Sequence, residues 1–269
     1  MTAKTSRNRR YLVALSLFLV LGIGALGVAR FYPALGPIVG TVTPQLYVDS
    51  LPTADIPEQG RYVLVDAASA RLYMMENGRV QDSMRVIVGK PDTPTPQLKD
   101  VINYATLNPY WHVTPDLART IIAPNVLKLG DSYLTQHGYQ VVSAFADDAE
   151  VIPADTVDWK AVAAGTQQIY VRELPGPANS LGHFKFDLPH GDGIYLHDTP
   201  RKELFAQDQR DLSHGCVRLE DAERLARFLL GKDPPAPSAP EENVLLPKPV
   251  PITISYLDAR AQMQLAALR

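Results

Sequence analysis

The only cysteine of the chain, Cys216, lies among residues that can support nucleophilic chemistry. It directly follows Ser213-His214-Gly215, and His197 stands upstream at the end of a strand-like run. A thiol attacks a carbonyl carbon as a thiolate, and a nearby imidazole can accept its proton and later pass it to a leaving amine. These residue types predict a cysteine acyl-transfer site with Cys216 as the nucleophile and His197 as the general base.

Neighbouring residues predict the remainder of this site. Gly215 permits a backbone conformation that presents the thiol. A helix beginning near Asp221 aims N–H groups and partial positive charge toward Cys216, which predicts a depressed thiol pKa and a stabilised oxyanion. Strand alternation places Tyr195 on the same face as His197. The predicted catalytic residues are Cys216, His197, His214 and Gly215, and the predicted substrate-binding residues are Arg218, Tyr195, Trp111 and Ser213.

Each of these residues also has an ordinary structural interpretation. A free cysteine is commonly a small buried hydrophobic residue, and a histidine on a strand is commonly a satisfied structural group. His214 can simply brace its loop, and Tyr195 and Trp111 can be core aromatics. Arg218 suits bidentate binding of a substrate carboxylate, and Arg210 is a second candidate for that role.

The composition excludes several classes of protein. With 269 residues, 46% hydrophobic and 20% charged, the chain is neither disordered, collagen-like nor a multi-pass membrane protein. Its 26 basic and 29 acidic residues give a net charge of −3, which disfavours a nucleic-acid partner. A single cysteine excludes an intrachain disulfide, and the histidines between 183 and 214 lack the close pairs of metal motifs, so we predict no metal site.

The N-terminal region predicts a membrane anchor. Residues 1–35 hold five basic residues and no acidic one, and the uncharged stretch 11–29 approaches the ~20 residues that a transmembrane helix needs. Because positive charge stays in the cytoplasm, the rest of the chain is expected to face outward. A cleaved signal peptide is the alternative, since residues 27–29 are small. The proline-containing residues 36–60 predict a linker.

The remainder predicts a mainly β domain over 61–258 and a C-terminal tail over 259–269. Between 110 and 164 the pattern becomes helical, which predicts an inserted capping subdomain. An amphipathic helix follows Cys216, whereas the proline-rich residues 231–251 predict an extended connection. Strand-like runs, the second and third joined by a tight Asn77-Gly78 turn, occupy 62–66, 71–76, 79–89, 101–107, 168–172, 184–188, 193–197 and 252–257.

The run from His197 to Arg218 resembles the His-x(14–17)-Ser/Thr-His-Gly-Cys signature of the L,D-transpeptidases of bacterial cell walls. Three more stretches resemble that family, in its order: Val86-Ile87-Val88-Gly89-Lys90 with Thr93-Pro94-Thr95-Pro96, Asn108-Pro109-Tyr110-Trp111-His112-Val113, and Asn179-Ser180-Leu181-Gly182-His183-Phe184-Lys185-Phe186. The similarity covers about residues 61–257 and is greatest to the anchored proteobacterial branch with a helical cap. It implies a β-sandwich-like catalytic domain. Arg218 departs from the Asn that many members carry.

The resemblance also implies a reaction that uses no cofactor. Cys216 would attack the diaminopimelate carbonyl of a stem tetrapeptide and expel D-alanine, with the Asp198 backbone carbonyl orienting His197. A diaminopimelate amine of a neighbouring stem would then take the acyl group. The implied partners are peptidoglycan stem peptides, carbapenem-type inhibitors and the inner membrane, with the catalytic domain on the periplasmic side. Transfer to water, as in an L,D-carboxypeptidase, transfer to a protein lysine, and a non-catalytic wall-binding scaffold remain alternatives.

Overall fold

A computed structural model describes residues 56–146 and 148–269. The predicted anchor at 1–35 and residues 36–55 of the predicted linker at 36–60 lie outside these residues. Within the described ranges, no helix combines the length and the apolar character that crossing a bilayer requires. The first strand begins at Arg61, where the sequence predicts that the folded domain starts.

The described residues are mainly β. The strands are β1 Arg61–Asp66, β2 Arg71–Glu76, β3 Arg79–Gly89, β4 Leu98–Leu107, β5 Trp111–Val113, β6 Tyr139–Val142, β7 Val151–Ile152, β8 Tyr170–Glu173, β9 Phe184–Asp187, β10 Tyr195–His197, β11 Asp211–Ser213, β12 Val217–Leu219 and β13 Glu242–Ser255. The helices are α1 Pro115–Leu117, α2 Ala123–Leu129, α3 Ser132–Gln136, α4 Trp159–Ala164, α5 Ala222–Leu230 and α6 Ala259–Ala267, with a π-helical turn at Ala118–Ile122 and 3₁₀ turns at Ala154–Thr156 and Lys202–Ala206.

The main sheet closes on itself. Its nine strands run in the order β11-β3-β12-β10-β9-β4-β13-β1-β2, and β2 also pairs with β3. The long strand β3 makes this possible, because its first half pairs with β2 and its second half with β12. The predicted β-sandwich-like domain is therefore a barrel-like sheet. The predicted Asn77-Gly78 turn is present, with positive φ at both residues.

Helices cover both faces of the strand pair β1–β2. Along β1, Val63 and Val65 belong to the core cluster that includes the apolar face of α5, the amphipathic helix predicted after Cys216. Tyr62 and Leu64 alternate to the other side, where they pack with residues of α6. Residues 259–267, predicted to be part of a tail, thus form a helix that buries the outer face of this strand pair.

The predicted helical insertion is an α/β subdomain with its own small sheet. Strands β5, β8, β6 and β7 pair in that order, and α1 to α4 contribute to a separate hydrophobic cluster. The subdomain continues past residue 164 to Glu173, because the run 168–172, predicted for the main domain, forms β8 of the small sheet. Strands of two to four residues have too little alternation to be distinguished from loops in the sequence.

Asn179 joins the two connections between the insertion and the main sheet. Its amide nitrogen donates to the carbonyls of Pro109, at 3.2 Å, and Leu174, at 2.9 Å, which lie on opposite ends of the insertion. Its amide oxygen accepts from the Leu181 N–H at 2.7 Å. The side chain is buried, so it fixes the entry and exit of the insertion at one point.

The sequence predicts an extended connection for the proline-rich residues 231–251, but part of this stretch forms a strand. Residues 242–251 form the first part of β13 and carry Pro247, Pro249 and Pro251. In this part β13 pairs only with β4, and pairing with β1 begins at Ile252. The prolines therefore lie where β13 has a neighbouring strand on one side only, and the register with β4 shifts between Leu245 and Val250. A proline has no N–H, and on the unpaired side of the strand no hydrogen bond is lost because of it.

Candidate active site

The loop before Cys216 is held by hydrogen bonds within itself. The Ser213 hydroxyl donates to the Cys216 carbonyl at 2.6 Å and accepts from the Gly215 N–H at 3.1 Å. Gly215 has φ +121°, and a Cβ there would lie 3.0 Å from Ile194 Cδ1. The backbone therefore requires glycine, in line with the predicted presentation of the thiol. Ser213, predicted to bind substrate, is buried, and its hydroxyl makes both of its hydrogen bonds within the loop.

A distant segment of β3 and the turn after it support the same loop. The Thr95 hydroxyl donates to the Gly215 carbonyl at 2.7 Å and accepts from the Gly89 N–H at 2.8 Å. The Lys90 N–H donates to the Ser213 carbonyl at 3.0 Å. Thr95 is 1% exposed, so these bonds are shielded from water. The sequence similarity at 86–96 thus corresponds to a brace for the cysteine loop.

Two parallel strands bring the cysteine and histidine to one face of the sheet. In the register of β10 and β12, Leu196 pairs with Val217 and His197 with Arg218. Cys216 immediately precedes β12 and lies beside Tyr195, whose N–H and hydroxyl both form hydrogen-bond contacts with the thiol. Paired and alternate residues share a face, so Cys216 and His197 are diagonal neighbours on adjacent strands. The partly exposed thiol donates to the Gly193 carbonyl at 3.6 Å.

His197 is oriented as a neutral base. Its Nδ1 lies 2.5 Å from the Asp198 backbone carbonyl. Because a carbonyl can only accept a hydrogen bond, Nδ1 carries the proton and Nε2 has its lone pair available. Burial, helped by the charge of Arg218, lowers the pKa of His197 to about 3. The imidazole is therefore uncharged at neutral pH and able to accept a proton.

The thiol pKa differs from its prediction. Burial raises the pKa of Cys216, and this effect outweighs the contacts with Tyr195 and the charge of Arg218, which favour the thiolate. The prediction of a depressed pKa is wrong because the sequence shows the nearby charges but not the depth of the sulfur. The first turn of α5, expected to point at the thiol, lines another cleft with Arg85, His183 and Glu220.

The Asp198 carboxylate anchors the residue that orients His197. It accepts from the His183 N–H at 2.9 Å and from Lys202 Nζ at 2.5 Å. Gly182 has φ +61°, and a Cβ there would lie 2.3 Å from the carboxylate oxygen. The run 179–186 therefore contributes to the site by placing Asp198. Sequence reasoning missed Lys202, whose spacing of four residues from Asp198 was the available signal.

Two other predicted residues approach the thiol. Arg218, half-buried beside His197, has no carboxylate within 4 Å among the described residues, and burial lowers the pKa of its guanidinium. This suits a role in binding a substrate carboxylate. Trp111, in the first strand of the insertion, forms a side-chain hydrogen bond with Tyr195. The insertion therefore contacts the residue that contacts Cys216.

The remaining candidates, His214 and Arg210, have different surroundings from those of Arg218 and Trp111. The side chain of His214, predicted to be catalytic, is exposed. Arg210 donates to backbone carbonyls of Val86 and Gln207, at 3.2 and 2.8 Å, and also reaches those of Ser69 and Ala70. Its guanidinium braces loops, so Arg210 is poorly placed for the carboxylate role considered in the sequence.

Comparison with known proteins supplies a family. The family model for the L,D-transpeptidase catalytic domain (YkuD) matches residues 60–252. A protein of Haemophilus influenzae named "Putative L,D-transpeptidase" is 31% identical over 189 residues, covering 70% of this chain and 37% of that protein. The chain thus spans well under half of the length of this curated relative.

Solved structures with similarity to the chain carry the same description. An L,D-transpeptidase from Mycobacterium smegmatis matches 73% of this chain and 59% of its own, at 17% identity and a TM-score of 0.36. The catalytic domain of an E. faecium L,D-transpeptidase acylated by ertapenem matches 73% of this chain and 97% of its own, at 14% identity and a TM-score of 0.36.

Proposed function

The chain belongs to the family of L,D-transpeptidase catalytic domains, and on that premise we propose that it cross-links peptidoglycan through an acyl-enzyme on Cys216. The donor is a stem tetrapeptide, the leaving group is its terminal D-alanine, and the acceptor is the side-chain amine of diaminopimelate in a neighbouring stem. The observation that carries the proposal is a partly exposed thiol on the same sheet face as a neutral, oriented imidazole.

Acylation begins from two neutral groups. The raised thiol pKa and the lowered imidazole pKa disfavour a resting thiolate–imidazolium pair. His197 Nε2 therefore takes the proton of Cys216 as the sulfur attacks the carbonyl of the third stem residue. The C–S bond forms, the amide C–N bond breaks, and the proton passes from Nε2 to the amine of the departing D-alanine.

Transfer uses the same groups in reverse. The acceptor amine attacks the thioester, His197 removes a proton from that amine, and the proton returns to the sulfur as the C–S bond breaks. The Gly215 N–H, a candidate for the oxyanion site, already donates to Ser213. The Cys216 N–H, for which the described residues supply no acceptor, is the better donor to the oxyanion. Arg218 binds a stem carboxylate nearby.

A carbapenem tests the acyl-enzyme directly. Mass spectrometry of the reduced full-length protein should show one added acyl group after incubation with ertapenem, and Cys216→Ala should show none. Circular dichroism of both proteins provides the control for folding. A wild-type protein that is folded, reduced and unmodified would contradict the proposal.

The acceptor is identified from products. Incubation with purified stem tetrapeptides should release D-alanine and produce dimers linked between third residues. Tripeptide without dimers would instead indicate an L,D-carboxypeptidase, and label transferred to a protein lysine would indicate a ligase. Release of no D-alanine by a carbapenem-reactive protein would contradict the proposed donor.

We also propose that the domain works on the periplasmic side of the inner membrane, anchored by residues 11–29. The basic residues before this apolar stretch support that orientation. A C-terminal alkaline phosphatase fusion should be active, whereas a C-terminal fusion that is stable but inactive would contradict it. In membrane fractionation, an uncleaved anchor should retain the full-length chain with the membrane. A shortened chain in the soluble fraction would instead indicate a cleaved leader.

A further inference from the structure

A charged pocket lies between the insertion and the main sheet. It has a volume of about 280 Å³. The insertion contributes Tyr110, His112, Phe145 and Arg172, whereas β4, β9 and β13 with their neighbours contribute Tyr104, Lys185, Asp187 and Glu241 among others. The pocket is thus formed jointly by the part of the chain that carries the catalytic residues and by the part that covers it.

Basic and acidic side chains lie close together in the pocket. Lys185 Nζ lies 3.2 Å from Asp187 and 3.6 Å from Glu241, and His112 lies 3.8 Å from Glu241. Arg172 has no carboxylate within 4 Å among the described residues. Its guanidinium stacks 4.5 Å above the centre of the Tyr110 ring.

This pocket adjoins the reactive face. In the antiparallel pairing of β9 and β10, Lys185 is opposite His197 and Asp187 is opposite Tyr195. Residues directly opposite each other point to the same side of a sheet. Lys185 Nζ also lies 5.9 Å from the centre of the Tyr195 ring, which contacts the thiol. A substrate attached at Cys216 can therefore extend one end into the pocket.

We propose that this charged pocket binds the amino-acid end of a diaminopimelate side chain, which carries an ammonium and a carboxylate on one carbon. Arg172, stacked in place, holds the carboxylate in a forked pair of hydrogen bonds, and Asp187 with Glu241 attracts the ammonium. Lys185, which lies beside both acidic groups, reduces the repulsion between them. The inference rests on the proposed function and specifies which stem peptides the site accepts.

The chemistry discriminates between stem types. A lysine side chain ends in an ammonium without a carboxylate, so it leaves Arg172 without a carboxylate partner, although Arg172 Nε still donates to the Gln140 side chain. The side-chain amine of the acceptor has to be free and neutral to attack the thioester, so the zwitterion that the pocket holds belongs to the donor stem. Two measurements test this assignment: a change in the pocket should alter D-alanine release without acceptor, and it should leave the KM for added acceptor unchanged.

The test compares Arg172→Met with Arg119→Met, a matched control on an exposed arginine of the insertion that pairs with Asp116. Each full-length protein is assayed with diaminopimelate stems, lysine stems and ertapenem. Loss of one charge-assisted pair should lower kcat/KM for diaminopimelate stems about 10- to 100-fold in Arg172→Met only. Rates with lysine stems and with ertapenem should stay within about twofold, and Arg172→Lys should recover part of the loss.

Two results would overturn the pocket assignment. One is an unchanged preference for diaminopimelate in Arg172→Met, and the other is an equal loss with all three substrates, which would indicate a structural role for the arginine. Glu241→Gln provides an independent check: it should lower kcat/KM for both diaminopimelate and lysine stems, because both side chains end in an ammonium, and it should leave the rate with ertapenem unchanged. Failure of the wild-type protein to react with ertapenem would contradict the proposed function instead, so the two failures are distinguishable.

Discussion

The cysteine loop and the insertion differ in which side chains they bury and which they expose to solvent. Ser213 of the loop and Thr95 of its brace are almost fully buried, and their hydroxyl groups bond to the backbone of these two segments. The insertion keeps large apolar side chains in solvent, including Leu127 at 48% and Leu129 at 55% exposure. Buried hydrogen bonds thus fix the position of the cysteine, whereas the role of the insertion in selecting what reacts rests on the charged pocket proposed above.

The largest effect is expected from the base itself. His197→Ala removes the proton acceptor, so ertapenem acylation should slow by about 100- to 10,000-fold. The measurement is the acylation rate constant from time-resolved mass spectra, with Trp111→Phe as a comparison at the insertion, which should lose much less. A change of less than threefold in His197→Ala would remove the imidazole from the mechanism.

A large effect is also expected where the sheet positions that base. Gly182→Ala places a methyl group against the Asp198 carboxylate, so it should cost about 1–3 kcal/mol of stability and slow acylation. Gly176→Ala is the matched control, because that glycine also has positive φ but faces open space. Thermal unfolding and acylation rates are measured on both variants. Equal behaviour of the two would show that the contact with Asp198 does not matter.

An intermediate effect is expected at the joint between the two regions. Asn179→Ala leaves buried carbonyls of both connections unpaired, which should cost about 1–3 kcal/mol. Dimer formation should decline more than ertapenem acylation, because the insertion is displaced while the cysteine loop keeps its own bonds. Asn125→Ala, on the exposed part of the insertion, is the control. A larger loss in acylation than in transfer would contradict this separation.

The smallest effect concerns the thiol. Because burial raises the pKa of Cys216, its alkylation rate should have a midpoint above the value of about 8.5 for a free cysteine. Tyr195→Phe removes a hydroxyl contact that favours the thiolate, so the midpoint should move further upward by about one pH unit or less. Iodoacetamide rates measured against pH provide the test. A midpoint below 8.5 would reverse the conclusion about burial, and a downward shift in the variant would contradict the effect assigned to the Tyr195 hydroxyl.

The same pKa values predict the shape of the activity profile. His197 becomes charged only as the pH falls through about 3, so protonation of this base does not limit acylation near neutrality. Acylation should therefore change little with pH from 5 to 8, because the neutral thiol and the neutral imidazole are the predominant forms throughout that range. A rate that rises or falls steeply over that interval in the folded protein would contradict neutral starting groups.

The local parts of the site were predictable because they depend on neighbouring residues. Gly215 and Cys216 lie in one short run of the sequence, and His197 ends another. The residue types in these two runs define the chemistry. Thr95 was not predictable as a brace, since it lies 120 residues from the carbonyl that it holds. The separate sheet of the insertion was equally hidden, because its strands are short and pair only within the subdomain.

The sequence by itself determined the reacting groups, the main strands and the helix after Cys216, because residue type and short-range periodicity encode them. Tertiary structure decided the closure of the sheet, the burial that raises the thiol pKa and lowers that of His197, and the charged pocket shared by two regions. Burial and electrostatic fields are sums over residues far apart in the chain. They exist only after the strands have paired and the insertion has packed above them.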